Sequence, residues 1–200
     1  MIKDKHILIT GDRGYLGGAL KSALSQHNTI LCVDRDVRDC VSIDHDHVDV
    51  VLHFASPIDN TDVSRTASSI ITGTMNMLNI CKQYDAKFVF ASTMGVYGHE
   101  TDDVYCSCKL AMENYITSLY NNYIILRIPR VYSECRNKGL IKLIKDDNIN
   151  QQDMHKIIDF ITLRDFVDQT LPVLEQKNYI HEYNITHHES IKQIVSWVKK

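Results

Sequence analysis

A tyrosine and a lysine stand four residues apart at positions 105 and 109, in a segment that predicts a helix over 104–120. Side chains at this spacing share a helix face, so the ammonium of Lys109 can stabilise the ionised phenol of Tyr105 and lower its pKa. Such a tyrosine can exchange a proton with a substrate hydroxyl. Thr93, twelve residues before Tyr105, could hydrogen-bond the same substrate oxygen. The alternative is a surface helix, because Tyr-x-x-x-Lys is common by chance.

Three glycines near the N-terminus follow an apolar run and precede an amphipathic segment. Where a strand turns into a helix, backbone N–H groups and the helix N-terminus can hold a pyrophosphate. We expect Gly11 to allow the tight turn, Gly14 to let the backbone approach the ligand and Gly17 to let the helix pack on the strand. The candidate cofactor-binding residues in this run are Gly11, Arg13, Gly14, Tyr15, Leu16 and Gly17.

An acidic residue ends the second predicted strand. Asp34 follows Gly11 by 23 residues, about the spacing at which an acid accepts hydrogen bonds from an adenosine ribose. The alternative role for Asp34 is to cap a loop. Arg13 and Arg35 could instead pair with a 2′-phosphate, which would favour NADP, but Asp34 would repel that phosphate. The sequence therefore favours NAD, with NADP as the alternative.

Predicted strands and helices alternate along the chain. Strands are predicted at 6–10, 29–33, 48–54, 87–92, 123–127, 156–161 and 180–185, and helices at 15–26, 62–83, 104–120, 163–175 and 189–199. Thr186 and Glu189 predict a capping box for the last helix. The alternation indicates an α/β fold with a parallel sheet covered by helices on both faces. Ligands of such sheets bind at the carboxyl ends of the strands, where the glycine run, Asp34, 53–56 and 92–93 should meet.

Composition excludes several classes of function. The net charge of −3 gives no basis for nucleic-acid binding, no apolar segment is long enough for a membrane span, and the N-terminus lacks a signal-peptide pattern. The six cysteines are scattered and are expected to be reduced in a cytoplasmic protein. The residues of Asp44-His45-Asp46-His47 are of metal-ligand types, but a polar loop explains them and no metal site is predicted.

The order of these motifs resembles that of the extended short-chain dehydrogenases/reductases, within the NAD-dependent epimerase/dehydratase group that acts on nucleotide sugars. The matching segments cover nearly the whole chain, at 10–17, 52–56, 73–74, 91–98, 105–109 and 126–132, with Asp34 and Asp39 and weaker matches at 159–165 and 183–185. The resemblance implies a Rossmann-type, doubly wound parallel sheet. Residues 1–132 would form the NAD(P)-binding core with the catalytic helix. Residues 133–200 would form a reduced C-terminal region that completes the sheet and the substrate side.

The resemblance also implies roles for individual residues. Hydride would pass between a sugar carbon and the nicotinamide while Tyr105 moves the hydroxyl proton, assisted by Thr93 and by Lys109, which would also bind the nicotinamide ribose. Asp39 would lie near the adenine and Ala55 along the cofactor. The further candidates are Arg35, Phe54 and Ser56 for the cofactor, and Thr93, Met94 and Arg130 for the substrate. A homodimer through the helices at 62–83 and 104–120 is expected.

Departures from the family pattern leave three functions open. Ile70 stands where the family often has an asparagine that supports proton relay, and Met94-Gly95 replace the Asp-Glu of the 4,6-dehydratases. Arg130 and Ser133 replace an asparagine and a glycine, and only 68 residues follow Tyr132. The sequence predicts an NAD(P)-dependent epimerase or reductase of a sugar nucleotide or related hydroxyl or carbonyl substrate. The alternatives are a non-catalytic dinucleotide-binding regulatory protein and an NADPH-dependent reductase of small carbonyl compounds.

Overall fold

The computed structural model describes residues 2–33, 35–39, 43, 45–56, 62–98 and 103–200. The strands are β1 (His6–Thr10), β2 (Thr29–Cys32), β3 (Val50–His53), β4 (Lys87–Thr93), β5 (Tyr123–Ile128), β6 (Val131–Tyr132), β7 (Ile157–Thr162), β8 (Tyr179–Glu182) and β9 (His187–Ser190). The helices are α1 (Tyr15–Leu24), α2 (Val63–Tyr84), α3 (Val104–Leu119), α4 (Gly139–Lys145), α5 (Leu163–Val173) and α6 (Ile191–Val198), with 3₁₀ turns at Met94–Tyr97 and Gln151–Asp153. Within these ranges, no helix is both long enough and apolar enough to cross a membrane.

Six parallel strands form the main sheet in the order β2-β1-β3-β4-β5-β8. The strand order reverses between β1 and β3, which is the switch point where open α/β sheets bind ligands. The Rossmann-type fold predicted from the sequence is confirmed.

Apolar side chains cover both faces of the sheet because successive residues of a strand point in opposite directions. Ile7 and Ile9 of β1 belong to the core that includes Leu20 of α1. Leu8, between them in sequence, belongs to the opposite core with Met77 of α2. Helices α1 and α5 therefore pack on one face, and α2 and α3 on the other.

A second, smaller sheet of order β6-β7-β9 lies in the C-terminal part of the chain. Strand β7 is parallel to β6 and antiparallel to β9, so the strand predicted at 156–161 does not join the main sheet. This sheet packs with α4, which was not predicted, and α6 around a core of its own: Tyr132, Ile141, Ile144, Phe160 and Ile194.

The start of the last helix differs from the prediction. Residues 187–190 form β9, and α6 begins at Ile191. The capping box consists of Ser190 and Gln193, not of Thr186 and Glu189, and so that prediction was wrong. Thr186 instead donates its hydroxyl to Asp165 Oδ2 at 2.7 Å, and Ser190 is the residue with extended backbone directly before the helix.

Candidate active site

The carboxyl ends of β1, β3, β4 and β5 open onto one cleft of about 1090 Å³. Residues 128–132 and 135–140, together with Ile158 and Ile191, form part of its lining. This volume is slightly above the usual range of about 300–1,000 Å³ for ligand pockets. Twelve of the residues predicted for the site line it: Gly11, Arg13, Gly14, Tyr15, Leu16, Gly17, Phe54, Ser56, Thr93, Tyr105, Lys109 and Arg130.

The glycine run forms a tight loop in which side chains have no room. Gly11 has a φ of +72°, and a Cβ there would lie 2.8 Å from the backbone nitrogen of Ala55. A Cβ on Gly14 would come within 2.9 Å of the Gly11 carbonyl oxygen, and one on Gly17 within 2.3 Å. Gly11 therefore permits the turn, while Gly14 and Gly17 let the backbone pack against the Gly11 carbonyl.

The N-terminus of α1 fits the pyrophosphate of a dinucleotide. Gly14, in extended conformation, precedes a first turn that has no side-chain cap and no acidic residue. Its uncapped N–H groups and the helix dipole favour an anion. The side chains along the cleft add positive charge, and none of the described lining residues is acidic. The cationic lining residues are Arg13, Lys109, Arg130, Arg136 and Lys138.

The segment after β2 was predicted to bind the adenosine. Asp34 lies outside the described residues, and Arg35 and Asp39 are exposed and do not line the cleft. The amide of Asn76 on α2 holds this segment, donating to the carbonyl oxygens of Val37 and Asp39 at 2.9 Å each. Sequence reasoning missed Asn76, although it lies two residues after a segment that resembles the family.

Gly73, in the same family-like segment of α2, lies against the loop after β2. A Cβ at Gly73 would lie 2.7 Å from Cγ2 of Val37, so the glycine lets α2 approach the loop after β2.

Ala55 and Met94 are not among the residues that line the cleft. The backbone N–H of Ala55 instead donates to the Thr10 hydroxyl at 3.2 Å.

The three predicted catalytic side chains line the cleft together. Thr93 ends β4, and its hydroxyl oxygen accepts the Gly95 N–H at 3.1 Å. Asp103 caps α3, accepting the Tyr105 N–H at 2.9 Å, and thereby fixes the start of this helix. Lys109 Nζ donates to the Ala91 carbonyl at 2.6 Å and lies 5.6 Å from the Tyr105 ring centre.

Burial changes the proton affinities of both groups on α3. It lowers the pKa of Lys109 to about 7, while the Glu113 carboxylate raises it. Burial also raises the pKa of Tyr105 well above its ordinary value, with a smaller contribution in the same direction from Asp103. The expected lowering of the tyrosine pKa is not found, since the lysine ammonium donates to a carbonyl instead of the phenol.

A histidine at the end of β3 forms a neutral hydrogen-bonded pair beneath the glycine loop. The Thr10 hydroxyl accepts the Ala55 N–H and forms a second hydrogen bond, of 2.7 Å, with Nδ1 of His53. Burial, with a smaller effect from Lys109, lowers the pKa of His53 to about 3. The imidazole is therefore uncharged at neutral pH.

An ion pair behind the site was also missed from the sequence. Glu113 is 3% exposed and accepts two hydrogen bonds from Arg127 through Oε2, from Nη2 at 2.7 Å and from Nε at 3.1 Å. The Ser92 hydroxyl donates to its other oxygen. The sequence signal for Glu113 was its position, four residues after Lys109 and on the same face of α3.

Comparison with known proteins identifies the family. The model of the NAD dependent epimerase/dehydratase family matches residues 7–186. The chain belongs to this family. Its members are NAD(P)-dependent enzymes of the extended short-chain dehydrogenase/reductase type. No curated protein matches the chain.

Many solved structures share its fold. UDP-N-acetylglucosamine 4-epimerase from Methanobrevibacter ruminantium is 19% identical with a TM-score of 0.79, over 98% of this chain and 81% of that one. dTDP-4-dehydrorhamnose reductase from Bacillus anthracis, in complex with NADP, is 18% identical with a TM-score of 0.80, over 100% and 82%. UDP-glucose 4-epimerase from Thermus thermophilus, in complex with NAD, is 17% identical with a TM-score of 0.73, over 96% and 82%. At these identities the likeness establishes the fold.

Proposed function

We propose that this protein is an NAD(P)-dependent epimerase or reductase that acts on a nucleotide sugar or a related hydroxyl or carbonyl compound. One observation carries the proposal: Thr93, Tyr105 and Lys109 line the same cleft as the glycine loop. Family membership supports the reaction class. The similar structures named as UDP-sugar epimerases and a dTDP-sugar reductase support the substrate class.

The cofactor would be held along the glycine loop and the floor of the cleft. Gly11, Arg13, Gly14, Tyr15, Leu16 and Gly17 would hold its pyrophosphate; Asp34, Arg35 and Asp39 its adenosine; and Phe54, Ala55, Ser56 and Lys109 the remainder. When bound, the dinucleotide supplies the redox chemistry at its nicotinamide ring. We propose NAD, since Asp34 favours a free ribose, with NADP as the alternative through Arg13 and Arg35.

The chain's own residues would bind the substrate oxygen and move its proton. As a phenolate, Tyr105 would take the proton from a substrate hydroxyl; as a phenol, it would donate a proton to a substrate carbonyl oxygen. The Thr93 hydroxyl would hydrogen-bond the same substrate oxygen. The Lys109 ammonium would stabilise the phenolate electrostatically. Met94 and Arg130 would contact the rest of the substrate. In the structure Tyr105 has a raised pKa, so this role requires Lys109 in its charged form.

We also propose that the chain has a cofactor-binding region and a substrate-side region, and that it forms a homodimer. Residues 1–132 would bind the cofactor, and 133–200 would complete the substrate side; the separate core around Phe160 supports this division. Exposed apolar side chains on α2 and α3, among them Ile71, Met75 and Leu119, support a dimer through these helices. The cysteines that the structure describes form no disulfide, and we propose a cytoplasmic location.

A substrate screen tests the proposal. UDP- and dTDP-sugars are incubated with NAD or NADPH, and products are followed by chromatography and by absorbance of the reduced cofactor. Tyr105→Phe should reduce turnover at least about 100-fold while cofactor binding persists, since only the acid/base group is lost. Tyr115→Phe, on the same helix, is the matched control and should retain activity. Equal turnover in Tyr105→Phe and wild type would contradict the proposed mechanism.

The alternative of a non-catalytic dinucleotide-binding protein is favoured by one observation. Ile70, fully buried, occupies the position where the family often has a relay asparagine. Cofactor binding without turnover on the whole panel would support this alternative. Reduction of small aldehydes or ketones by NADPH, with no reaction on sugar nucleotides, would instead support a small-carbonyl reductase.

A further inference from the structure

The Lys109 ammonium lies in a setting that disfavours its charge. The side chain is 1% exposed, its Nζ donates to the neutral Ala91 carbonyl, and it lies 4.5 Å from the ring centre of Phe90. An unpaired buried ammonium is costly and tends to lose its proton. The proposed role of Lys109 nevertheless needs the charged form, and so some group must compensate it.

Glu113 is positioned to do so. It lies one turn after Lys109 on α3, on the face that packs against β4 and β5. Tyr105, Lys109 and Glu113 thus form one row along the catalytic helix, at intervals of four residues. In a buried site, a carboxylate one helical turn from an ammonium interacts with it more strongly than it would in water.

Contacts from two strands hold the carboxylate in place. Arg127 on β5 binds it through Nε and Nη2, and Ser92 on β4 donates to its second oxygen. Ser92 and Arg127 are register partners, so the adjacent strands present both donors to one point. Arg127 is fixed on its other side by Tyr97 and by Glu182, whose Oε1 lies 3.7 Å from Nη1. The carboxylate therefore has little freedom to turn away from the helix row.

We propose that Glu113 is a positioning residue: held by Arg127 and Ser92, its carboxylate keeps the Lys109 ammonium charged beside Tyr105. The effect on Lys109 is a property of the folded chain, whereas its consequence for catalysis rests on the proposed function. The charges alternate from Lys109 (positive) through Glu113 (negative) and Arg127 (positive) to Glu182 (negative). Removal of the Glu113 charge should therefore lower the pKa of Lys109, and removal of the Arg127 charge should raise it.

Other groups around Lys109 do not supply the missing negative charge. On its own helix, Tyr105 has a raised pKa and is protonated at neutral pH, and burial raises the pKa of the Cys108 thiol. On β3, His53 is neutral at that pH and disfavours a nearby cation when protonated. On β4, the contacts are the Phe90 ring and the Ala91 carbonyl. Among the described groups that raise the pKa of Lys109, Glu113 has the larger effect and Cys108 the smaller one.

The test is a direct titration of Lys109. Protein labelled with ¹³C-lysine is followed by NMR between pH 5 and 10, without cofactor or substrate, and the Lys109 resonance is assigned by its absence in Lys109→Met. We expect a midpoint near 7 in the wild type. Glu113→Gln should lower the midpoint by about one pH unit or more, because the favourable charge is lost. Arg127→Gln should raise it, because the competing cation is lost while the Gln amide and Ser92 still offer hydrogen-bond donors to the carboxylate.

The controls separate this role from a general effect on folding. Glu182→Gln removes the carboxylate on the far side of Arg127, where the side chain is 60% exposed, and should leave the midpoint within about 0.3 units because of solvent screening. Glu113→Asp retains the charge and should keep the midpoint near the wild-type value. If Glu113→Gln does not fold, the midpoints of Arg127→Gln and Glu113→Asp still test whether the Glu113 charge sets the pKa of Lys109.

The outcomes distinguish this inference from the proposed function. Unchanged midpoints, or shifts in the same direction for Glu113→Gln and Arg127→Gln, would overturn the positioning role. Opposite shifts in a protein that turns over no substrate would support the charge compensation and count against the proposed activity. In an active protein, Glu113→Gln should move the alkaline limb of the kcat/KM profile to lower pH, because Lys109 then loses its proton earlier.

Discussion

Replacement of Lys109 by methionine should stabilise the protein at neutral and acidic pH. Burial lowers the pKa of this lysine from 10.5 to about 7, and each pKa unit corresponds to about 1.4 kcal/mol. The buried charge therefore costs about 5 kcal/mol wherever the lysine is protonated in both the folded and unfolded states. Loss of the hydrogen bond to the Ala91 carbonyl removes about 1 kcal/mol from the gain. At pH 6, Lys109→Met should be about 4 kcal/mol more stable than wild type.

The stability difference between Lys109→Met and wild type should depend on pH. Between pH 7 and 10.5 the unfolded chain binds more protons at this position than the folded chain, so wild-type stability rises with pH across this window. The advantage of Lys109→Met should shrink over the same range and disappear near pH 10. Urea unfolding followed by circular dichroism at pH 6, 8 and 10 measures the difference. A difference that does not change with pH, or a variant that is less stable at pH 6, would refute this electrostatic reasoning.

Three further predictions concern the loops and the sheet around the cleft. Gly17→Ala should destabilise the fold by about 3 kcal/mol, since its Cβ would meet a backbone oxygen at 2.3 Å, whereas Gly18→Ala, at 3.2 Å, should change it by less than about 1 kcal/mol in the same thermal melts. The low pKa of His53 means that wild-type stability falls as pH decreases from 6.5 towards 3; His53→Gln should flatten this part of the urea-midpoint profile, and an unchanged slope would contradict the assignment. Asn76→Ala should weaken NADH binding several-fold in fluorescence titrations while thermal stability changes by only about 1 kcal/mol, because it frees the loop after β2; unaltered affinity would show that this loop does not contact the cofactor.

The main sheet could be predicted because its strands are continuous apolar runs separated by amphipathic helices. Glycine spacing located the loop after β1, and the four-residue interval placed Tyr105 and Lys109 on one helix face. These signals are local in sequence. The small sheet was harder, since β6 has two residues and β9 is polar at His187 to Ser190, so neither carries an apolar pattern of its own.

The electrostatics of the site could not be predicted from spacing alone. Tyr105 and Lys109 lie where the sequence indicated, but the direction of the ammonium depends on the Ala91 carbonyl, a backbone atom of another element. The Glu113–Arg127 pair joins a helix to a strand, and only the fold shows that their side chains meet. Burial then determines the pKa of each group, and burial is a property of the assembled structure.

Whether the cleft binds a dinucleotide is tested by a fluorescence titration of the purified protein with NADH and NADPH. We expect saturable binding of at least one dinucleotide at the glycine loop, with NADH preferred if Asp34 contacts the ribose. Gly17→Ala should weaken that binding in protein that remains folded by circular dichroism. Failure of folded wild-type protein to bind either dinucleotide would contradict the account of the cleft as a cofactor site.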